Sequence, residues 1–105
     1  MLTLMFVSVA LAADPAAGKV LYAASCTACH GPVGNGKGPA AVALKPRPSD
    51  FTLATYWSGK TDEALTTAIR AGRPGTSMAP FTDLSDAEVA DLVAYLRTFA
   101  PTAAP

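Results

Sequence analysis

Two cysteines and a histidine form the most specific chemical pattern in this chain of 105 residues. Cys26 and Cys29 are its two cysteines, and its one histidine, His30, directly follows the second of them. On one turn of helix, two thiols three residues apart can both reach one ligand, and the adjacent imidazole can bind its metal. The spacing C-x-x-C-H is the covalent attachment motif of c-type haem.

A dithiol redox pair and a zinc site are the alternative interpretations of Cys26 and Cys29. A thioredoxin-like redox pair requires a βαβ context, but no segment of this chain shows convincing alternation of apolar and polar residues. A structural zinc ion requires four protein ligands, whereas the chain offers two cysteines and one histidine. The pattern therefore favours haem over both alternatives.

The most apolar stretch of the chain is its beginning, residues 1–13. It contains the small-x-small pattern of signal peptides at positions 10–12, and no Lys or Arg precedes Lys19. It is shorter than the roughly twenty residues that a membrane-spanning helix needs. We predict a signal peptide over residues 1–13 with a truncated charged region, a mature domain over residues 14–105, and export to the periplasm. The alternative is a buried N-terminal helix.

The composition excludes several classes of protein. Lys and Arg number 8, as do Asp and Glu, so the net charge is zero, and half of the residues are hydrophobic. A nucleic-acid binder normally carries a basic excess, and a disordered chain is normally poor in apolar residues. We therefore expect one globular domain, with no nucleic-acid partner and no stable membrane insertion.

A first helix is predicted between Asp14 and the cysteine pair. Asp14 is a good N-cap because its carboxylate accepts hydrogen bonds from free amide groups, and Pro15 suits the first helical position. The spacing of apolar residues predicts that the buried stripe of this helix consists of Val20, Leu21 and Ala24.

Two further helices are predicted in the second half of the chain. One begins at Thr61 with an acidic first turn, which the helix dipole favours, and ends at Gly72. The other begins at Ser85, which can form a capping box with Glu88, and ends before Pro101. The apolar residues of this last helix follow helical spacing, and they are Val89, Leu92, Val93, Leu96 and Phe99.

The segment between the first two helices indicates a ligand. Residues 31–48 include four glycines and four prolines, a density that forbids a regular helix or a central strand. A loop of this length inside a compact domain is unusual unless it encloses something. We predict an all-α fold of three main helices plus long irregular loops around one covalent haem. The haem-free chain should be largely unfolded.

From Gly18 to Phe99, the chain resembles a class I monohaem cytochrome c of bacteria. The resemblance depends mainly on Cys26-x-x-Cys29-His30. It implies the small cytochrome c fold, with thioether bonds from both cysteines to one haem c. It also implies that His30 is the proximal ligand of the iron.

Met78 is the candidate for the sixth iron ligand. It is the one methionine outside the predicted signal peptide, and it lies in a loop bounded by glycine and proline. A thioether is a soft ligand suited to reduced iron. Family members often have Met-Pro here, whereas this chain has Met78-Ala79-Pro80. The alternative role is that of a methionine filling a gap in the core.

The resemblance implies further haem contacts. Pro39 resembles the proline whose carbonyl group accepts a hydrogen bond from the proximal histidine ring. Arg47, Tyr56 and Trp57 are candidate donors to the haem propionates. Their alternative roles are those of a loop proline, a solvated charge and packing residues.

The terminal helices also resemble those of the family, which cross each other. Gly18 and Tyr22 of the first helix and Leu92 and Tyr95 of the last are the corresponding residues. A glycine lets the two backbones approach closely, and the aromatic rings fill the crossing. This role is structural.

These features together predict a periplasmic electron carrier that is not an enzyme, with His/Met-ligated iron, transient redox protein partners and a monomeric state. Zero net charge predicts weak long-range steering of those partners. One alternative is a haem enzyme or gas-binding protein with five-coordinate iron. Another is an electron-entry subunit of a larger oxidase or dehydrogenase complex.

Overall fold

The structure, a computed structural model, describes residues 12–101 and Thr3. The predicted signal peptide lies almost entirely outside the described residues. The described residues form five α-helices and no strand, which confirms the all-α prediction. The helices are α1 (Pro15–Ser25), α2 (Thr27–His30), α3 (Ala54–Trp57), α4 (Asp62–Ala71) and α5 (Asp86–Arg97), and a 3-10 turn spans Ala41–Ala43. None of these helices is long and apolar enough to cross a bilayer.

The two long terminal helices begin at the predicted caps. The Asp14 carboxylate accepts a hydrogen bond from the Ala16 amide at 2.9 Å, and the Asp14 amide donates to the Asp91 carboxylate at 2.7 Å. At the start of α5, the Ser85 hydroxyl accepts from the Glu88 amide at 3.1 Å, while the Glu88 carboxylate accepts from the Ser85 amide at 2.9 Å. Asp14 therefore both caps α1 and joins it to α5.

Helices α1 and α5 cross at Gly18. A Cβ atom at this position would lie 2.0 Å from the carbonyl oxygen of Asp91 and 2.8 Å from Cβ of Tyr95. One turn later, Tyr22 is buried with its ring centroid 5.3 Å from that of Tyr95 and 5.2 Å from that of Phe99. The crossing that the family resemblance implies is present.

Gly18→Ala is expected to destabilise the protein by about 3 kcal/mol, the upper end of the usual cost of overpacking. The added methyl group would meet the α5 backbone, so the two helices must move apart. Gly59→Ala is the matched control, because its Cβ would meet nothing within 4 Å and only its positive φ opposes the change. Denaturant unfolding of the haem-loaded proteins measures both losses. If Gly18→Ala lowered the free energy of unfolding no more than Gly59→Ala does, this result would contradict the close crossing of α1 and α5.

The stripe predicted on α1 is correct only at Leu21, which is half-buried and packs against the core. Val20 is 70% exposed and Ala24 is exposed, whereas the buried residues of α1 are Gly18 and Tyr22. Helix α1 packs mainly against α5. The buried face of α1 is therefore the one that carries Gly18, which permits close approach to α5, and not the one that carries the most apolar side chains.

The core lies between α1, α4, α5 and the loop before α3. Its buried residues are Tyr22, Phe51, Leu65, Ile69, Val89, Leu92, Val93 and Leu96. Two ion pairs join the ends of α4 and α5: Arg97 contacts Asp62 at 2.6 Å, and Arg70 contacts Asp86 at 2.6 Å. The predicted last helix is confirmed with its apolar face inward.

The loop between α2 and α3 follows the backbone of α2. The amides of Gly36, Gly38 and Ala40 donate hydrogen bonds to carbonyl groups of residues 28–30 at 2.9 to 3.0 Å. Gly38 is required there, since its Cβ would lie 2.3 Å from the carbonyl oxygen of Ala28. The irregular loop is confirmed, and it holds the C-x-x-C-H turn in place.

Candidate haem site

Three neighbouring cavities meet at His30 and Met78, which line all of them. The thiol compartment, of about 220 Å³, lies beside Cys26 and Cys29. The outer compartment, of about 170 Å³, is bounded by residues 44 and 46–49. The inner compartment, of about 30 Å³, reaches the core. Because the same two side chains line all three cavities, we treat the cavities as one site.

The cysteines are presented by one turn of helix. Cys26 is the N-cap of α2, and its carbonyl group accepts a hydrogen bond from the His30 amide at 2.9 Å. Burial, and to a lesser degree the Cys29 thiol, raise the pKa of Cys26 to about 11. A thiol with a raised pKa lacks the thiolate character of a dithiol redox pair. The environment of Cys26 therefore disfavours the thiolate form.

The His30 ring is held in the neutral state that a metal ligand needs. Burial lowers the pKa of its imidazole, and the positive charge of Arg73 also lowers it. A hydrogen bond to the Ser49 backbone raises the pKa but does not cancel the effect of burial. The ring stacks on Phe51 with the centroids 4.7 Å apart. Its Nδ1 lies 3.3 Å from the Ser49 carbonyl oxygen, which leaves Nε2 as the nitrogen for a metal.

Pro39 does not make the contact to His30 that the family resemblance implies. It is exposed, and the amides on either side of it, those of Gly38 and Ala40, are hydrogen-bonded to the α2 backbone. The loop then continues through the 3-10 turn and returns to the ring at Ser49. In this structure the carbonyl group at the ring is therefore that of Ser49.

Met78 is placed by the loop after α4. Gly72, with φ of +68°, ends α4, and the Arg73 amide donates to the Met78 carbonyl at 3.2 Å. The Met78 amide donates to the Thr76 hydroxyl at 3.2 Å. A Cβ on Gly72 would lie 2.5 Å from the Met78 carbonyl oxygen, so only glycine permits this path. Met78 is half-buried, with its side chain lining the site.

The predicted propionate donors are distributed unevenly around the site. Arg47 lines the outer compartment, and Tyr56 lines the inner one. Burial raises the pKa of Tyr56, and the Arg73 charge partly offsets the rise. Trp57 has a different role, since its indole N–H donates to the Phe51 carbonyl at 2.7 Å and its ring lies beneath Arg97.

Sequence reasoning missed Arg73, which lines both the outer and the inner compartments. Its place directly after the helix-ending Gly72 and near Met78 is the signal that could have found it. Sequence reasoning also missed Ser49, because no local pattern marks this residue as a partner of His30.

The donor set of the site fits an iron porphyrin. Within residues 12–101 and Thr3, no group of three or more His, Cys, Asp or Glu side chains is arranged to hold a metal ion. The site offers one imidazole and one thioether, which are two axial ligands of haem iron. The adjacent thiols are the groups that attach c-type haem.

Comparison with known sequences agrees with the geometry. The family model described as Cytochrome c matches residues 15–100. The chain is 37% identical over 90 residues to cytochrome c-554(547) of Halothiobacillus neapolitanus, a match that covers 83% of this chain and 98% of that protein.

Solved structures share the fold. A chain of the Kuenenia stuttgartiensis reducing HAO-like protein complex Kustc0457/Kustc0458 aligns with a TM-score of 0.71 and 29% identity, over 80% of this chain and 41% of that one. This chain thus spans about two fifths of that longer chain. KustC0563, a c-type cytochrome, aligns with a TM-score of 0.65 and 30% identity, over 80% of this chain and 98% of its own length.

Proposed function

The chain belongs to the cytochrome c family, and from this premise we propose that it is a periplasmic electron carrier with one covalent haem c and axial ligands His30 and Met78. The observation that carries the proposal is the convergence of Cys26, Cys29, His30 and Met78 on one site. These residues come from two segments about fifty positions apart in the sequence.

Each residue of the site has a defined part in this function. When bound, haem c supplies an iron that gains and loses one electron. Cys26 and Cys29 would fix the porphyrin through thioether bonds, and His30 would bind the iron through its neutral imidazole. Met78 would fill the other axial position, which leaves none for a substrate. Hydrogen bonds hold the backbone on either side of His30 and Met78, which would limit the movement of both residues on electron transfer.

Arg47 and Arg73 would hold the haem propionates. Both line the outer compartment, and its lining contains no Asp or Glu. A guanidinium group can bind a carboxylate through two parallel hydrogen bonds. Tyr56 lines the inner compartment and would contact the porphyrin from that side.

The two alternative functions are those of a haem enzyme and of a subunit in a larger assembly. A peroxide-processing haem enzyme needs a general acid or base near the open axial position. The residues lining the three cavities include no Asp, Glu or second His, which favours the carrier. The similarity to a chain of the reducing HAO-like protein complex supports a role as an electron-transfer subunit of a larger assembly.

Expression with haem-attachment machinery tests the proposed function. We expect a coloured protein whose mass exceeds that of the processed polypeptide by one haem and which takes up one electron reversibly. The Cys26→Ala/Cys29→Ala variant should lack the covalent mass increase, while Ser25→Ala, beside the same compartment, should retain it. A colourless protein with the bare polypeptide mass would refute the proposal.

A further inference from the structure

The Asp14 backbone nitrogen lies against a carboxylate of the last helix. It donates a hydrogen bond of 2.7 Å to the side chain of Asp91, which is half-buried on α5 and lies 77 positions further along the chain. In the part of the chain that the structure describes, Asp91 forms no ion pair with Lys or Arg, whereas Asp62 and Asp86 are paired with arginines. The Asp91 carboxylate therefore faces a backbone nitrogen instead of a basic side chain.

This contact lies at the predicted boundary between the signal peptide and the mature domain. Residues 12–14 are exposed, and they border one side of a cavity of about 340 Å³. Ala87, Ala90 and Asp91 of α5 border its other side. Cleavage at the predicted boundary would therefore change a chemical group that faces Asp91.

Hydrolysis by a signal peptidase converts an amide nitrogen into an amine. The hydroxyl group of water goes to the carbonyl carbon of the leader, and the released nitrogen takes the remaining hydrogen and then a proton from solution. An α-amino group is mostly protonated at neutral pH. Cleavage after Ala13 places this charge on the Asp14 nitrogen itself, and cleavage after Ala12 places it one residue, about 3.8 Å, earlier. In either case an ammonium group can reach the Asp91 carboxylate.

We propose that removal of the signal peptide creates an ion pair between the new α-ammonium group and the Asp91 carboxylate, which fastens α1 to α5 in the exported protein. The inference rests on the export that the proposed function includes, and it adds a structural consequence of processing. A hydrogen bond between two ionised groups is shorter and stronger than one from a neutral amide. The unprocessed chain has only the hydrogen bond from the neutral amide.

A positive charge at the start of a helix is normally unfavourable, because the helix macrodipole is equivalent to about half a positive charge there. Two carboxylates stand at the start of α1. That of Asp14 accepts from the Ala16 amide at 2.9 Å, and that of Asp91 accepts from the Asp14 amide. Their negative charge outweighs the macrodipole, so the new ammonium group is stabilised at this end of α1.

Helix α1 connects this end of the molecule to the haem site. It crosses α5 at Gly18, where the backbones are too close to admit a side chain. One turn later, the Tyr22 hydroxyl donates a hydrogen bond of 2.5 Å to the carbonyl group of Gly31, which directly follows the C-x-x-C-H turn. An ion pair at the start of α1 opposes separation of α1 from α5, and it thereby supports the helix that holds this turn.

A double-mutant cycle on the haem-loaded, processed protein tests the ion pair. Acetic anhydride at mildly acidic pH acetylates the α-amino group and spares the more basic lysines. Peptide mass mapping then locates the acetyl group and identifies the first residue. Asp91→Asn removes the charged partner but keeps its size and one acceptor oxygen. Asp83→Asn is the matched control, because it removes an exposed carboxylate from the loop before α5.

In denaturant unfolding at low salt, acetylation should raise the unfolding equilibrium constant of the parent protein and of Asp83→Asn about threefold, the size expected for an exposed ion pair. In Asp91→Asn, acetylation should change this constant by less than about 1.5-fold. A salt concentration of about 1 M should remove most of the effect in the parent protein. If acetylation had no effect on the parent protein, or an equal effect on Asp91→Asn, the proposed ion pair would be overturned.

Failure of the proposed function would give different results. A purified chain that retains the signal peptide would refute export, and this inference with it. A processed chain without haem would refute the carrier function. A processed, haem-loaded protein in which the α-amino group and Asp91 are not coupled would overturn the ion pair alone.

Discussion

Met78→Ala is expected to lower the reduction potential on the order of 0.2 V, within the ~0.8 V range that axial ligands control. The thioether favours reduced iron, so its loss stabilises the ferric state. On the proposed ligation, the change would also open an axial position, and the chain has no second histidine to fill it. The reduced variant should therefore bind carbon monoxide rapidly, which the parent protein should not.

Met78→Leu separates ligation from packing. Leucine keeps most of the volume of methionine but has no sulfur. The Met78→Leu protein should therefore lose the weak sulfur-to-iron absorption at the red end of the ferric spectrum, as the Met78→Ala protein should. Ser77→Ala, in the same loop and lining the same compartments, should keep that absorption. Retention of the absorption in Met78→Leu would exclude Met78 as the ligand and favour the gap-filling alternative.

The haem-free chain is expected to be largely unfolded. The compartment beside the cysteines alone measures about 220 Å³. Its lining comes from residues 25–30 and from the loop after α4, so bound haem would join two segments about fifty positions apart. Small domains have a total stability of about 5–15 kcal/mol. Such a link is therefore expected to be decisive for folding in a chain with short helices and a long loop.

The Cys26→Ala/Cys29→Ala variant purified without haem provides the measurement. Circular dichroism should show a large loss of helix, and thermal melting should lack the cooperative transition of the haem-loaded parent protein. Added free haem should restore part of the helix, because His30 and Met78 are intact. A well-dispersed NMR spectrum of the haem-free variant would show that the polypeptide core suffices on its own.

Features that depend on neighbours within a few positions could be predicted from the amino-acid sequence. The C-x-x-C-H turn, the caps at Asp14 and Ser85 and the apolar face of α5 all follow from residues two to four positions apart. These features fix the fold class and indicate the cofactor, because backbone hydrogen bonds in a helix join residues at that separation. Helix α3 has no side-chain cap, and no local pattern predicted it.

The meeting of distant segments could not be predicted and became visible in the folded chain. It brought Ser49 to the His30 ring and directed the indole N–H of Trp57 to the Phe51 carbonyl. It also left Val20 exposed and placed Arg73 beside Met78. These contacts depend on the path of a glycine- and proline-rich loop, which is fixed by hydrogen bonds to α2 and by close backbone approaches. Such a path has no periodicity, so no local pattern in the residues encodes it.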